Sequence, residues 1–442
     1  MQVHATTPLS RIEVTCDAGG LTSRAGTALL SGLADKLGLT EALTAALHRH
    51  SRKLRHEPGR IVRDLAVALA DGGDCLSDLG ALRDQETLFG AVASGPTAYR
   101  CLERLDEELL AGIRAARAAA RARAWELGGA PRRLVLDLDA TLVTAHSEKE
   151  GAAGTYKGGF GFHPLLCFEA ATGEALAGIL RPGNAGSNTA RDHIAVLEAA
   201  LAQLPEGAAD RGTLVRCDSG GATHAFLEAV AERGLCFSVG CELTERTRAA
   251  ILALPESAWV AALDADGAER DGAWVAELDV DLTAWPPGTR ALCRRERPHP
   301  GAQLSFSDHD GHRFQLILTN QRGRRLARLE QLHRQRAAVE DAIRQAKASG
   351  LRNLPFRAYA MNAAWLELVL CACDLLAWTR RLLLPGSALA SCEPKRLRYR
   401  LLHVAGRLVR HARGVRLRLP RSWPWGRELI AAFARLGALP SG

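Results

Sequence analysis

Between residues 132 and 240 the apolar pattern changes period repeatedly, and it reads strand, strand, strand, helix, strand, helix, strand. Leu134-Val135-Leu136-Asp137-Leu138-Asp139 is a short apolar run carrying two acids, which predicts a buried strand. Residues 163–170 and 175–180 predict two more strands around the hairpin signal Thr172-Gly173. Residues 191–204 are amphipathic and predict a helix. A strand at 213–217 ends at Asp218, a helix follows at 225–232, and a strand at 235–240 closes the series. Elements in this order commit the chain to an α/β fold.

The flanks read differently. Residues 26–47, 61–70 and 102–127 carry apolar side chains at helical spacing, interrupted by Pro58-Gly59, Gly72-Gly73 and Ser94-Gly95-Pro96. Residues 94–104 read as a turn and a helix with Thr97 as its cap, within either a small bundle or a DNA-binding helix pair. Residues 241–319 hold Trp259, Trp274, Trp285, Pro286-Pro287 and repeated Asp-Gly turns, which predicts a β-rich insertion. A long helix is expected over 325–348 and a mostly buried one over 366–384. Residues 394–427 contain Lys395 and ten Arg with no Asp or Glu, a run suited to neutralising phosphates. Trp423 and Trp425 within it suit either base stacking or packing on the core.

Composition narrows the partner. Over 442 residues Lys+Arg total 57 against Asp+Glu 49, a net charge of +8, which favours a polyanion. The 11 Cys are odd in number and form no C-x-x-C pair. That argues against a disulfide framework or a Cys-cluster zinc site and fits a reducing cytosol. The most apolar stretch, 363–378, is broken by Glu367 and Asp374, so a buried helix is expected there and no membrane association.

Three acids occupy special places. Asp139 ends the first strand, Asp218 ends the fourth, and Glu340 lies in the long helix. Carboxylates at the ends of adjacent strands can converge on hard cations, and three of them can hold two Mg²⁺. On that helix His333, Arg336, Glu340 and Lys347 sit at offsets 0, 3, 7 and 14. In an unbroken α-helix these fall at about 0°, −60°, −20° and −40°, one narrow stripe. An acid flanked by cations suits a metal ligand beside a phosphate backbone.

The spacing His333-x2-Arg336-x3-Glu340-x6-Lys347 resembles the Tyr-Arg-Glu-Lys signature of DDE transposases, with His in place of Tyr. Val135-Leu-Asp-Leu-Asp-Ala-Thr-Leu142 and Val215-Arg-Cys-Asp-Ser-Gly-Gly221 resemble the first and second acid motifs. With Gly350-Leu-Arg-Asn-Leu-Pro-Phe356 and Trp365-Leu-Glu-Leu-Val369, residues 132–381 are similar to the thirteen-eighty family of bacterial insertion-sequence transposases. The resemblance implies an RNase H-like core with a β insertion at about 241–319. The expected organisation is a helical N-terminal DNA-binding region at 1–130, a catalytic domain at 131–380 and a basic helical C-terminal region at 381–442. Asp139, Asp218 and Glu340 would be the catalytic, metal-binding triad, using Mg²⁺ with Mn²⁺ as a substitute. Arg336 and Lys347 would contact DNA phosphates, and His333 would do so by donating a hydrogen bond. The implied partners are double-stranded DNA, as inverted-repeat ends and target, and a second copy in a homodimer. The implied location is the cytoplasm, at the nucleoid when DNA is bound.

Other readings use the same residues. Leu136-Asp-Leu-Asp-Ala-Thr-Leu142 also resembles the haloacid-dehalogenase phosphatase motif, in which Asp137 is the nucleophile and Asp139 the acid/base. Asp218-Ser-Gly-Gly lacks the paired acids which that chemistry needs later in the chain. A non-catalytic DNA-binding descendant of a transposase is a third reading, and the presence of all three acids argues against it. Spacing does not decide between Asp137 and Asp139 as the ligand, because residues two apart on a strand share a face.

Overall fold

The computed structural model describes residues 12–48, 55–146, 148–298, 301, 308–323, 325–411 and 414–440. The N-terminal region is helical: α1 (Ala28–Lys36), α2 (Leu39–Ala46), α3 (Pro58–Ala70), α4 (Gly95–Leu102) and α5 (Glu107–Ala124). Pro58 opens α3 in its first turn, where a missing N–H costs nothing. A Cβ on Gly59 would stand 2.3 Å from the Thr44 amide nitrogen, so glycine lets α2 and α3 close up. Ser94, not Thr97, precedes α4, and its hydroxyl lies 3.0 Å from that of Thr97. Asp106 caps α5 by accepting from the Leu109 amide at 3.0 Å.

Strand β1 (Val135–Ala140) lies inside a mixed sheet, third from one edge. On one side β2 (Leu165–Glu169) and β3 (Ala175–Ile179) run antiparallel in succession. Helix α6 (Ala190–Leu201) then leads to β4 (Leu214–Cys217), and α7 (His224–Glu232) leads to β5 (Cys236–Cys241). Strands β4 and β5 lie parallel to β1 on its other side. The order β3-β2-β1-β4-β5, with β2 antiparallel, is the RNase H-like arrangement expected from the sequence.

The block at 241–319 extends that same sheet. Strands β6 (Val260–Leu263), β7 (Glu269–Leu278), β8 (Arg290–Glu296) and β9 (His312–Thr319) pair antiparallel in sequence order, and β9 pairs with β5. The insertion therefore covers the edge that β5 would otherwise leave open.

The long helix is interrupted. Helix α8 (Leu326–Arg334) passes through a 3₁₀ turn (Gln335–Ala337) into α9 (Ala338–Ala346), and a wider turn comes next at Lys347–Leu351. The Leu332 carbonyl accepts from the Arg216 guanidinium, and a carbonyl so engaged weakens the helical ladder at that point. Three residues at 3₁₀ pitch rotate α9 by about 60° relative to its position in an unbroken α-helix. The single stripe expected from His333 to Lys347 is accordingly divided.

Helix α10 (Tyr359–Trp378) is buried along nearly its whole length, between α3, α5 and β3. Glu367 and Asp374, the charges inside it, are met by buried arginines of α5. Arg117 bonds Asp374 Oδ2 at 3.0 Å and Glu367 Oε2 at 3.1 Å, and Arg121 bonds Asp374 Oδ2 at 2.7 Å. One apolar core runs from Ala25 through α10 to Ala432. A second lies between α6, α7 and the other face of the sheet.

The C-terminal region differs from the helical expectation. It forms a hairpin, β10 (Gly406–His411) and β11 (Gly414–Arg418), before α11 (Gly426–Ala438). The alternation Arg416-Leu417-Arg418-Leu419 has a period of two, which is a strand pattern. Leu417 and Leu419 pack on the core and the arginines face out. Arg413, one of the ten tail arginines, lies outside the described residues.

Candidate active site

The β1–β2 ladder sets Asp137 opposite Phe168 and Asp139 opposite Leu166. Phe168 and Leu166 belong to the core beneath α10, so both acids face the side that carries α9 and α10. The β1–β4 ladder pairs Asp137 with Arg216, and two residues further on Asp139 comes level with Asp218. Neighbouring strands run about 4.8 Å apart, so the register alone puts Asp139 and Asp218 side by side at the end of the sheet.

The lower row is a closed ion pair. Asp137 is 1% exposed and both its oxygens are taken by Arg216, at 2.6 Å from Nε and 2.7 Å from Nη2. Burial pushes the Asp137 carboxyl up and Arg216 pulls it down. Buried and clasped through both oxygens, Asp137 is not open to a phosphate ester as a phosphatase nucleophile needs to be. Its neighbour on the same row is Ser238 of β5, level with Arg216. The Ser238 hydroxyl lies 3.0 Å from His333 Nδ1. His333 is 3% exposed, and burial first, then the charges of Arg336, Arg294 and Arg216, push its imidazole down to about 3. The structure thus places the His333 ring in the interior, where its contact with Ser238 ties α8 to the sheet.

The upper row is open. Asp139 is half-buried, Asp218 and Glu340 are exposed, and Arg336 from the 3₁₀ turn lies 3.4 Å from Asp139 Oδ2. The Asp139 carboxyl is pushed up to about 6, chiefly by burial, with the charges of Asp218 and Glu340 adding. Arg336 and the Ala140 amide pull the other way, the amide donating to Oδ1 at 2.9 Å. Asp218 Oδ1 accepts from the Gly220 amide at 3.0 Å, which fixes the turn after β4. Lys347 Nζ donates to the Leu142 carbonyl at 2.9 Å, which ties the helix to the segment after β1. A cleft of about 640 Å³ opens beside Asp218, lined by Ser219, Gly240, Glu242, Phe314 and Arg336 among others.

The donors on this row are carboxylate oxygens, which suit a hard divalent cation. The nearby Cys217 thiol is buried and pushed well up, so it offers no thiolate. The acids raise one another's cost of ionisation around Asp139, which a divalent ion would relieve. Among the described residues the three acids do not bring their oxygens within 4.8 Å of one another; Asp74, Cys75 and Asp78 do. There the Asp78 carboxylate accepts from the Asp74 and Cys75 amides, a local turn cap.

Sequence reading missed three residues. Arg216 sits two before Asp218, and a cation inside an apolar strand was the available signal. His163 and His193 are buried behind Asp218, whose charge both feel, and burial holds both imidazoles below their ordinary range. His163 Nδ1 is 3.1 Å from the Ala185 carbonyl and His193 Nδ1 is 3.0 Å from that of Thr189. No local motif marks either.

Residues 5–441 match the family described as Transposase DDE domain group 1. None of the curated proteins matches the sequence. Among solved structures, a piggyBac transposase synaptic complex with hairpin DNA aligns with 86% of this chain and 81% of that one, at 10% identity and a TM-score of 0.47.

Proposed function

Since the chain belongs to the DDE transposase family, which spans it almost end to end, we propose that it cuts and joins DNA at the inverted-repeat ends of an insertion sequence of the thirteen-eighty type. The observation that carries this is the register that sets Asp139 level with Asp218, with α9 bringing Glu340 to the same end of the sheet. Asp139, Asp218 and Glu340 would hold Mg²⁺, or Mn²⁺ in its place. When bound, the ions supply activation of the attacking oxygen and stabilisation of the leaving oxygen of a phosphodiester.

The remaining work falls to the protein. Arg336 balances charge on Asp139 and is placed to take a phosphate of the scissile strand. Lys347, half-buried on the Leu142 carbonyl, positions the segment after β1 and brings positive charge to its rim. The Asp137–Arg216 pair and the His333–Ser238 contact keep the upper row's strands and helix in place. Strand transfer needs two ends at once, so a homodimer on double-stranded DNA is the working assembly.

The test is cleavage of labelled DNA carrying the element's ends with Mg²⁺ or Mn²⁺, comparing the parent with Glu340→Ala. Glu340 is exposed, so the variant folds as the parent does. The expected outcome is end binding in both, in Ca²⁺, and metal-dependent cutting in the parent alone. Cutting that survives in Glu340→Ala removes this acid from the reading.

A further inference from the structure

The β1–β2 hairpin continues past the acids. Ala140 is opposite Leu165, and the same register runs on through Val143 opposite Phe162 and Thr144 opposite Gly161. A third short strand joins it, with Ala153 opposite Gly161 and Gly154 opposite Phe160. These residues form an arm that leaves the sheet at the end where Asp139 and Asp218 lie. Its base is held on two sides. The Glu150 amide donates to the Arg357 carbonyl at 2.9 Å, and the Glu150 carboxylate accepts from the Tyr359 amide at 2.9 Å. On the other side Phe162 bridges to Pro182, and a Cβ on Gly183 would stand 2.6 Å from the Gly161 carbonyl oxygen.

The tip is a tight turn from Thr155 to Gly159. The Thr155 amide donates to the Gly159 carbonyl at 2.8 Å and the Gly158 amide to the Thr155 carbonyl at 3.0 Å. Gly158 takes a φ of +75°, which favours glycine. Tyr156 is 74% exposed and Lys157 is exposed beside it. The Lys157 ammonium stands 5.6 Å from the Tyr156 ring centre, so the two present one surface. That surface adjoins the acid row. The Tyr156 ring lies 6.0 Å from the ring of His163, which feels the charge of Asp218. Lys347 lies at the other flank, its Nζ on the carbonyl of Leu142, three residues past Asp139. Burial first, then the charges of Arg352 and Lys157, hold the Lys347 ammonium below its ordinary range. Among the described residues none of these three cations has a carboxylate partner.

Unbalanced cations on the rim of an acid site suit the phosphates that flank one held at the acids. The occupant is DNA, because the exposed face of the tip adjoins the row over which a scissile strand must lie. Resting on the reading of the chain as a DNA-cutting enzyme, we propose that residues 155–159 grip the DNA next to the scissile phosphate. Lys157 takes a neighbouring phosphate and the Tyr156 ring lies against the deoxyribose beside it. Contacts to phosphate and sugar fix register rather than read sequence. The arm therefore sets which bond reaches Asp139 and Asp218.

The test uses the full chain with Tyr156 replaced by photoreactive p-benzoylphenylalanine. It is irradiated with labelled DNA carrying one end of the element, in Ca²⁺ so that the DNA stays uncut. Adducts should fall within about three nucleotides of the boundary between repeat and flanking DNA, roughly 10 Å along the axis. Lys157→Gln should lower the slope of log affinity against log salt by about 0.9, the share of one phosphate. Tyr156→Ala with Lys157→Gln should cut at scattered positions in Mg²⁺, where the parent cuts at one. These side chains are exposed, and unchanged thermal melting verifies folding. Adducts spread evenly along bound DNA, or none, overturn the proposal. So do adducts between two copies of the chain, which make the arm a subunit contact. An unchanged salt slope together with an unchanged cutting position does the same. Capture needs no cutting, so a parent captured at the boundary that never cuts fails the cleavage reading alone. A parent that cuts without being captured fails the arm alone.

Discussion

Asp137 and Arg216 form a pair that is 1% and 2% exposed, and the carboxylate has no partner of comparable strength if the guanidinium is removed. Arg216→Met should cost about 3–5 kcal/mol in denaturant unfolding, the penalty of an uncompensated buried charge. A loss below about 1 kcal/mol would mean that Asp137 is protonated or hydrated in place. His333 gives a pH signature. In the unfolded chain its imidazole titrates near 6.5, and in the folded chain burial holds it down to about 3. Unfolding therefore takes up a proton between those values. Stability from this group is complete above pH 6.5 and falls as the pH drops toward 3, at about 1.4 kcal/mol per unit. His333→Gln should flatten that slope, measured as denaturant midpoints at pH 7.5 and 5; equal losses in parent and variant would contradict it. At this scale the sequence was half legible. Asp139 and Asp218 can be placed at strand ends from the pattern alone, but no spacing shows that Asp137 is clasped by Arg216, which only the ladder brings beside it. His333 does lie on a helix, yet periodicity carries no information about which neighbour covers a face.

The turn after β4 shows what elements add. Ser219-Gly220-Gly221 reads as either a close approach to DNA or a simple turn, and the close approach is to the protein itself. A Cβ on Gly221 would stand 2.5 Å from the Cys217 Cβ, and one on Gly220 would stand 2.8 Å from the Ser187 carbonyl oxygen. Gly221→Ala should therefore destabilise by about 1–3 kcal/mol through overpacking and should lower metal-dependent cutting by displacing Asp218. An active, fully stable variant would show that the turn tolerates the displacement. The strand and helix order was legible from 132 to 240 because each element there keeps one period. The insertion was legible as strands but not as a continuation of the core sheet, since edge pairing is chosen by backbone hydrogen bonds that no side-chain pattern specifies. The 3₁₀ interruption was hidden for a related reason: its cause, the Arg216 contact to the Leu332 carbonyl, comes from a strand over a hundred residues away. The hairpin at 406–418 was within reach, as its arginine–leucine alternation is visible in the sequence.

Across the whole molecule, the core beneath α10 draws on residues from Ala25 to Ala432, and the Arg117, Arg121, Glu367 and Asp374 contacts join α5 to α10 without access to water. Residues 1–130 and 131–442 expressed apart should each expose a large apolar face. Neither should show the sharp cooperative melting expected of the intact chain. A fragment with a sharp transition of its own would establish an independent unit. This interdependence was illegible beforehand, because composition shifts mark where a chain changes style and not where its cores end. It also bears on heredity. A copy of the gene that gains a stop codon before the segment encoding α10 would yield a product missing the centre of its own core. Such a product would be cleared rather than linger as a folded piece competing for the same DNA ends, so damaged copies would be silent bystanders rather than inhibitors of intact ones.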